Sequence, residues 1–317
     1  MRQTDCVKLR YTLAMTEPQA PSSRSYPCLV VQPAPDWQDY ELVDSGDGWK
    51  LERYGPYLLK RPEPEAIWKP ALPAKAWNRA SAVFRPAPEE NGGHWEILQP
   101  VDERWVMRYK ELKFWTQLSA SRHLGVFPEQ AGQWDWLAAQ IRAAQQPPQV
   151  LNLFGYTGIA TLAAAAAGAR VTHVDASKKV ITWARENLEL SGLGSRPVRW
   201  MVDDALKFVQ REARRGARYD GLILDPPKFG RGPKGEVWEF YKLLPNLLEA
   251  CRQVVSEQPC FVLLTAYAVK ASAITLYYAL KEMMRAWDGQ VEAGEVVLDE
   301  KSAGRVLSMA IFARWSK

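Results

Sequence analysis

The stretch Val150 to Leu193, VLNLFGYTGIATLAAAAAGARVTHVDASKKVITWARENLELSGL, decides the fold. Val150 to Phe154 is a short apolar run of the kind that fills a buried parallel strand. It breaks at Gly155-Tyr156-Thr157-Gly158 and gives way to an alanine-rich segment without proline, which reads as a helix. A second run, Val171 to Val174, ends on Asp175. Thr172 and Val174 favour a strand there, and Ser177 suits the cap of the next helix. Strand, glycine turn, helix, strand and acid make one half of a doubly wound sheet. That arrangement sets helix-terminal N–H groups and a carboxylate at the carboxyl ends of neighbouring strands. The acid falls twenty residues after Gly155, a spacing that suits a carboxylate bonding both hydroxyls of a ribose. The pattern points to a nucleoside-containing cofactor. The plainer alternative is a structural unit whose glycines only close the turn.

Downstream the alternation continues. Val198 to Val202 reads as a third strand, followed by Asp203-Asp204 and a helix from Ala205 to about Arg215. Tyr219 to Leu224 is a fourth strand, ending at Asp225-Pro226-Pro227-Lys228-Phe229-Gly230. Glu236 to Val255 reads as a helix with a step at Pro245, Phe261 to Thr265 as a fifth strand, and Ser272 to Trp287 as another helix. Val291 to Leu298 and Val306 to Phe312 close the chain. With no room for a helix between them, these two strands pair antiparallel. That ending departs from a fully parallel dinucleotide-binding fold, and the turn GYTG lacks the GxGxxG spacing of a nicotinamide oxidoreductase.

Upstream the pattern changes. Residues 1 to 25 lack period, although Val7 to Leu13 alternates as a short strand does. Tyr40 to Val43, Trp49 to Tyr54 and Tyr57 to Arg61 are brief runs divided by Ser45-Gly46-Asp47-Gly48 and Gly55-Pro56, the signature of a small antiparallel β domain. The prolines of Pro62 to Pro73 exclude a central strand or helix interior. Trp68, Trp77, Phe84 and Trp95 alternate with Lys69, Lys75, Arg79 and Arg85, a mixture that serves either base stacking with phosphate contact or a small core. Pro86 to Gly93 reads as a loop, Trp95 to Leu98 and Trp105 to Tyr109 as strands, and Trp134 to Ala144 as an amphipathic helix. The division that follows is a β-rich N-terminal domain over 1–112 and a catalytic domain over 113–317, with 113–149 as its lead-in.

Composition sets wider bounds. The chain has 317 residues, 24% of them charged, which suits two folded domains. No apolar run reaches membrane-spanning length, and Arg2 and Lys8 are not followed by a signal-peptide core. Cys6, Cys28, Cys251 and Cys260 show no CxxC spacing and only three histidines are present, so no structural metal is expected and the compartment reads as reducing and cytoplasmic. A formal charge of +5 permits a polyanionic partner without requiring one. The oligomeric state stays open.

LDPPKFGRG, Leu224 to Gly232, is the sharpest motif: rigid prolines hold Asp225 at a strand end beside the cofactor cleft. With it, the chain resembles the class I S-adenosylmethionine-dependent methyltransferases, and within them the bacterial large-subunit ribosomal RNA 5-methylcytosine methyltransferases. The similarity covers about residues 110 to 317 and is carried by Asn152 to Gly158, Asp175, Asn187, Asp204 and Asp225 to Phe229. It implies an α/β, Rossmann-like methyltransferase sheet with a terminal antiparallel pair, and S-adenosylmethionine as cofactor. It further implies that Phe154, Gly155, Tyr156, Thr157 and Gly158 cradle the methionine moiety. Asp175, with Ala176 and Ser177 beside it, meets the ribose, and Asp204 and Ala205 meet the adenine. Asp225, Pro226, Pro227 and Lys228 line the place where donor and acceptor meet. The segment His123 to Gln130 closes over the cofactor, chiefly through Gly125, Phe127 and Gln130. Plainer roles stand beside two of these: a helix cap for Asp204 and a solvated cation for Lys228.

One departure redirects the chemistry. A cytosine carbon needs a thiolate added to the ring before it accepts a methyl group, and the relatives carry that cysteine in a serine-cysteine pair after the fifth strand. Here the position reads Leu263-Leu264-Thr265-Ala266-Tyr267. Direct transfer to nitrogen or oxygen remains, with Asp225 orienting an amine or taking its proton, and Pro226, Phe229 and Tyr267 forming a slot around a flat base. Lys228, Arg231 and Lys234 suit backbone phosphates, as does the Arg211, Arg214, Arg215, Arg218 cluster. The expected acceptor is a nucleobase of RNA, and of rRNA in the light of the resemblance. A protein or small-molecule acceptor is the alternative, and a non-catalytic cofactor-binding module the next.

Overall fold

A computed structural model describes residues 27–35, 37–87, 92–120 and 122–317; the strand expected over Val7 to Leu13, Cys6, and the middle of the Pro86 to Gly93 loop lie outside the described residues. The chain first forms β1 (Leu29–Pro33), β2 (Tyr40–Gly46), β3 (Trp49–Tyr54), β4 (Tyr57–Pro62), the short helix α1 (Ala74–Trp77), β5 (Ala82–Pro86), β6 (Gly93–Ile97), β7 (Trp105–Tyr109) and β8 (Leu112–Thr116). Strands β2 to β6 make one sheet in sequence order, and β7 pairs with β8 as a hairpin. The β2–β3 turn places Asp47 and Gly48 at φ 51° and 78°, the left-handed pair that a tight hairpin requires.

A 3-10 turn, Pro128–Gln130, leads into α2 (Ala131–Ala143). Then follow β9 (Gln149–Leu153), α3 (Ile159–Ala166), β10 (Arg170–Asp175), α4 (Lys178–Leu190), β11 (Val198–Val202), α5 (Ala205–Arg214) and β12 (Gly221–Leu224). A small hairpin, β13 (Phe229–Arg231) and β14 (Val237–Glu239), precedes α6 (Phe240–Arg252), β15 (Phe261–Ala266), α7 (Ala273–Met283), β16 (Gln290–Asp299) and β17 (Val306–Ser316). The large sheet runs β1-β16-β17-β15-β12-β9-β10-β11, with β17 antiparallel to both neighbours. The α/β methyltransferase sheet with its terminal antiparallel pair, preceded by a β-rich sheet, is therefore the observed fold.

Alternation along the central strands builds the two faces. Ile223 and Leu263 enter the core that holds Trp134, Leu137, Ile159, Leu162 and Leu188 of α2, α3 and α4. Their sequence neighbours Leu222, Leu224, Val262 and Leu264 enter the core beneath α5, α6 and α7. The first core is continuous with Tyr40, Tyr54, Met107 and Phe114 of the N-terminal sheets, so both parts share one apolar interior.

Some elements differ from the sequence reading. The β1 strand, which the sequence reading did not name, pairs parallel with β16 at the edge of the large sheet. Val237 to Glu239 is strand, and α6 begins only at Phe240. Trp238 donates through Nε1 to the Pro227 carbonyl at 2.6 Å, and the hairpin that this anchors outcompetes helix.

Candidate active site

The carboxyl ends of five neighbouring strands open on one cavity of about 650 Å³, within the size range of small-molecule sites. Each strand delivers its last residue or the next one: Phe154 after β9, Asp175 ending β10, Asp203 after β11, Asp225 after β12 and Tyr267 after β15. The opposite wall comes from the N-terminal sheet, through Lys50, Tyr54, Arg61 and Glu63, and from the segment Arg122 to Glu129.

The glycine turn is held in an unusual backbone form. Phe154 and Tyr156 adopt φ of 59° and 48°, each costing about 1 kcal/mol or more for a residue with a side chain, and Gly158 follows at 84°. Hydrogen bonds fix the turn from several sides. Gly155 N–H donates to the Val174 carbonyl at 3.0 Å, and Tyr156 N–H donates to Asp175 Oδ2 at 3.0 Å. Behind it, buried Asn187 donates from Nδ2 to the Thr157 carbonyl at 2.9 Å and accepts at Oδ1 from Trp115 N–H at 2.8 Å. The Thr157 hydroxyl donates to the Gly125 carbonyl, so this side chain faces inward.

Asp175 accepts a second bond from Ser177 N–H at 2.9 Å, while the Ser177 hydroxyl caps α4. Burial pushes the Asp175 carboxyl up, and these backbone donors pull it back. Asp204 caps α5, accepting from Lys207 N–H at 2.9 Å, and Asp203 is ion-paired with Arg211. Ala176, Ser177, Asp204 and Ala205 all line the cavity.

Asp225 stands at the centre. Its Oδ1 is buried without a hydrogen-bond partner among the described residues, and burial, then the charge of Glu129, raises its carboxyl to about 7. Pro226, Pro227 and Lys228 follow along the rim; Pro227 and Lys228 are exposed, and the Lys228 carbonyl accepts from Phe240 N–H at 3.1 Å. Phe127 forms part of the ceiling, its ring 5.6 Å from Tyr156 and 5.1 Å from Tyr267.

Not every predicted residue reaches this cavity. Gly155, Thr157 and Gln130 line a small adjoining space of about 50 Å³ that shares Phe127, Phe154, Tyr156 and Asp225 with the larger one. Gly158 lines neither; a Cβ there would lie 2.9 Å from Ala184 Cβ. The cavity linings contain no cysteine among the described residues: Cys251 is buried in α6, Cys260 precedes β15 at the far end of the strand, and Cys28 is exposed before β1. Among the described residues no cluster of metal ligands occurs, and no helix is long and apolar enough to cross a membrane.

Sequence reading missed the whole N-terminal wall. Arg61 donates to both oxygens of Glu52, at 2.7 and 2.8 Å, to Tyr54 Oη at 2.7 Å and to the Arg122 carbonyl at 2.8 Å. No short motif marks these residues; alternation in β3 and β4 was the available signal, and it does not say what the inward face meets.

A family model for S-adenosylmethionine-dependent methyltransferases matches residues 58–285, most of the chain. The chain belongs to that family. This methyltransferase is similar to a SAM-dependent methyltransferase from Agrobacterium tumefaciens whose crystal structure is known, with 44% identity, a TM-score of 0.87, and coverage of 92% of this chain and 96% of that one. It is 27% identical over 196 residues to ribosomal RNA large subunit methyltransferase K of Neisseria meningitidis, covering 60% of this chain and 54% of that protein. It is 39% identical over 82 residues to ribosomal RNA large subunit methyltransferase I of Klebsiella pneumoniae, covering 26% and 20%. The methyltransferase thus spans about half the length of the first curated relative and a fifth of the second. The chain is an enzyme whose cofactor is S-adenosylmethionine, and the cavity fits that group: its volume, the strand-end carboxyl of Asp175 and a glycine turn with no room for a side chain at Gly155 suit a nucleoside joined to an amino acid.

Proposed function

We propose that this methyltransferase transfers a methyl group directly to a nitrogen of an RNA nucleobase, in ribosomal RNA, within the cytoplasm. The observation that carries the chemistry is Asp225: a carboxyl near neutrality in pKa, with one oxygen unpartnered, opening on a cavity lined by no cysteine among the described residues. The RNA acceptor draws on the likeness to the two ribosomal RNA methyltransferases. In this reading the Phe154 to Gly158 turn holds the methionine moiety, Asp175 with Ala176 and Ser177 holds the ribose, and Asp204 with Ala205 meets the adenine. Phe127 and Gln130 close the site. The bound cofactor supplies an electrophilic methyl group on a sulfonium.

The chain's own residues do the remaining work. Asp225 orients the acceptor N–H and takes the proton that the nitrogen loses as the N–C bond forms. Pro226, Phe229 and Tyr267 brace a flat ring, and exposed Lys228, Arg231 and Lys234 meet phosphates. The division into a recognition part over 1–112 and a catalytic part over 113–317 belongs to the same proposal.

The two other candidate nucleic-acid surfaces contribute less. Trp77 and Phe84 are buried, Trp68 donates to Ser45 Oγ at 3.0 Å, and Trp95 donates to the Ser119 carbonyl at 2.9 Å, so these rings are engaged in packing. Arg211 is paired with Asp203 and Arg215 with Glu212.

One observation favours a second reading, in which the acceptor is a protein side chain or small molecule: the N-terminal sheet walls the cavity with Lys50, Arg61 and Glu63. The test is transfer of a labelled methyl group from S-adenosylmethionine into total RNA and into protein extract, by wild type and Asp225→Ala. Label in RNA, lost in the variant, is expected. Label only in protein overturns the RNA acceptor.

A further inference from the structure

Glu129 is the buried ionisable group that the reaction above leaves without a task. It sits in the Pro128–Gln130 turn, 3% exposed, on the lining of the 650 Å³ cavity that also holds Asp225. Its surroundings come from three directions. From the N-terminal sheet, Lys50 and Arg61 bear on it, but both cations are already engaged: Lys50 with Glu63 at 3.1 Å, Arg61 with Glu52 at 2.7 Å. Glu52, Tyr40 and Tyr54 stand behind those cations. From the strand ends come Asp225 and Tyr267, whose hydroxyl is buried without a partner of good geometry. The Tyr267 hydroxyl and the backbone N–H of Glu129 itself bear on the Glu129 carboxyl, no ion pair reaches it among the described residues, and burial outweighs Lys50 and Arg61 to push it up.

Asp225 Oδ1 and the Tyr267 hydroxyl are buried on this cavity without a partner of good geometry among the described residues, and with the buried Glu129 carboxyl beside them they call for donors from whatever fills it. We infer that Glu129 is a second acceptor-side carboxyl, which together with Asp225 and Tyr267 selects an acceptor presenting more than one N–H donor, such as an amino group beside a ring imino group. A carbonyl-rich ring such as uracil offers fewer donors and would leave one carboxyl buried and unpaired. This rests on the proposed function in that it takes the acceptor as a nitrogen nucleophile; the charge effect of Glu129 on Asp225 across the shared cavity does not depend on the acceptor.

The test uses the full chain as wild type, Glu129→Gln and Glu129→Asp. Calorimetric binding of S-adenosylhomocysteine, transfer of labelled methyl into total RNA, and the carboxyl-carbon chemical shift of Asp225 across the pH range are measured for each. Glu129→Gln is expected to bind S-adenosylhomocysteine within about threefold of wild type and to transfer at least about tenfold more slowly, with Glu129→Asp recovering part of the rate. In Glu129→Gln the Asp225 titration midpoint moves down, because a neighbouring negative charge has gone. Wild-type rate in Glu129→Gln overturns the inference, as does a loss of S-adenosylhomocysteine affinity matching the loss of rate, which would make Glu129 a cofactor ligand. Should wild type label no RNA, the RNA acceptor fails, and the Asp225 midpoint still decides: a shift in Glu129→Gln supports the pair, and an unmoved midpoint overturns it.

Discussion

A Cβ placed on Gly155 would lie 2.4 Å from Cε1 of His173, so the imidazole of β10 occupies the space that any side chain at this turn would need. His173 is fully buried. Its Nδ1 lies 2.9 Å from Thr161 Oγ1, which accepts in turn from Asn152 Nδ2 at 2.9 Å, and its ring packs 4.8 Å from Trp200. Burial holds the ring neutral, at about 3.

Gly155→Ala is therefore expected to displace either the turn or the imidazole. Overpacking of this kind costs about 1–3 kcal/mol, visible as a lowered Tm, and S-adenosylhomocysteine affinity should fall by an order of magnitude or more. Shrinking the neighbour in the double variant Gly155→Ala/His173→Ala should restore part of the affinity. Unchanged binding in Gly155→Ala alone would separate the turn from the cofactor site.

Asp175 joins the turn to α4 through Tyr156 N–H and Ser177 N–H. Asp175→Ala removes both bonds and the acceptor offered to a ribose, so affinity for S-adenosylhomocysteine should drop about 10- to 100-fold, the worth of a charged hydrogen bond. Calorimetry on the purified chain reads this directly, without knowledge of the acceptor.

Asp225 sets the pH dependence. If its carboxylate receives the proton, transfer rises as pH climbs through about 7 and levels above it, and Asp225→Asn abolishes the rise while losing about 100-fold or more in rate. Stability runs the other way. The folded carboxyl keeps its proton where the unfolded chain, near 3.8, has lost it, so between those values stability falls as pH rises. Asp225→Asn should remove that slope from urea unfolding curves.

Glu52 carries the opposite sign. Burial pushes its carboxyl up, but Arg61 and Lys50 overcome this and hold it at about 2. Its stabilisation is present above the unfolded value of 4.5 and is lost as pH falls through about 2. Arg61→Met leaves the buried carboxylate with only Lys50 at 3.8 Å and the Tyr40 hydroxyl, and should cost about 3 kcal/mol at neutral pH, measured by denaturant unfolding.

Arg231 and Lys234 make no ion pair among the described residues and lie exposed on the hairpin beside the cavity mouth. Arg231→Glu/Lys234→Glu should raise KM for RNA and lower the salt slope of binding by at least about 1, with S-adenosylhomocysteine affinity unchanged. An unaltered slope would remove this hairpin from the RNA surface.

The parallel strands were legible because they are buried on both faces: runs such as Val150 to Leu153, polar only at the buried Asn152, and Gly221 to Leu224 have no solvent-facing side to disguise them. The strand-end residues followed from the same signal, since a residue just past an apolar run lies where ligands meet such sheets. That signal picks out Asp175 and Asp225, whereas Phe154 was named through the family resemblance. For Asp204 the sequence offered a helix cap or, through the resemblance, an adenine contact; the structure shows the cap and puts the residue on the cavity lining as well. What the sequence determined by itself was the strand-end half of the site.

Tertiary structure decided the other half. Lys50, Arg61 and Glu129 come from β3, β4 and a 3-10 turn, far from Asp225 along the chain, and no local period encodes which sheet face will be laid against which cleft. Isolated, a lysine in β3 reads as a solvated cation; only packing against the strand ends turns it into a cavity wall. The same holds for β14, where helix propensity lost to one anchoring bond between Trp238 and the Pro227 carbonyl. Local chemistry is written in the sequence, whereas the partner of each exposed face is settled by the fold as a whole, through burial that no window of neighbouring residues contains.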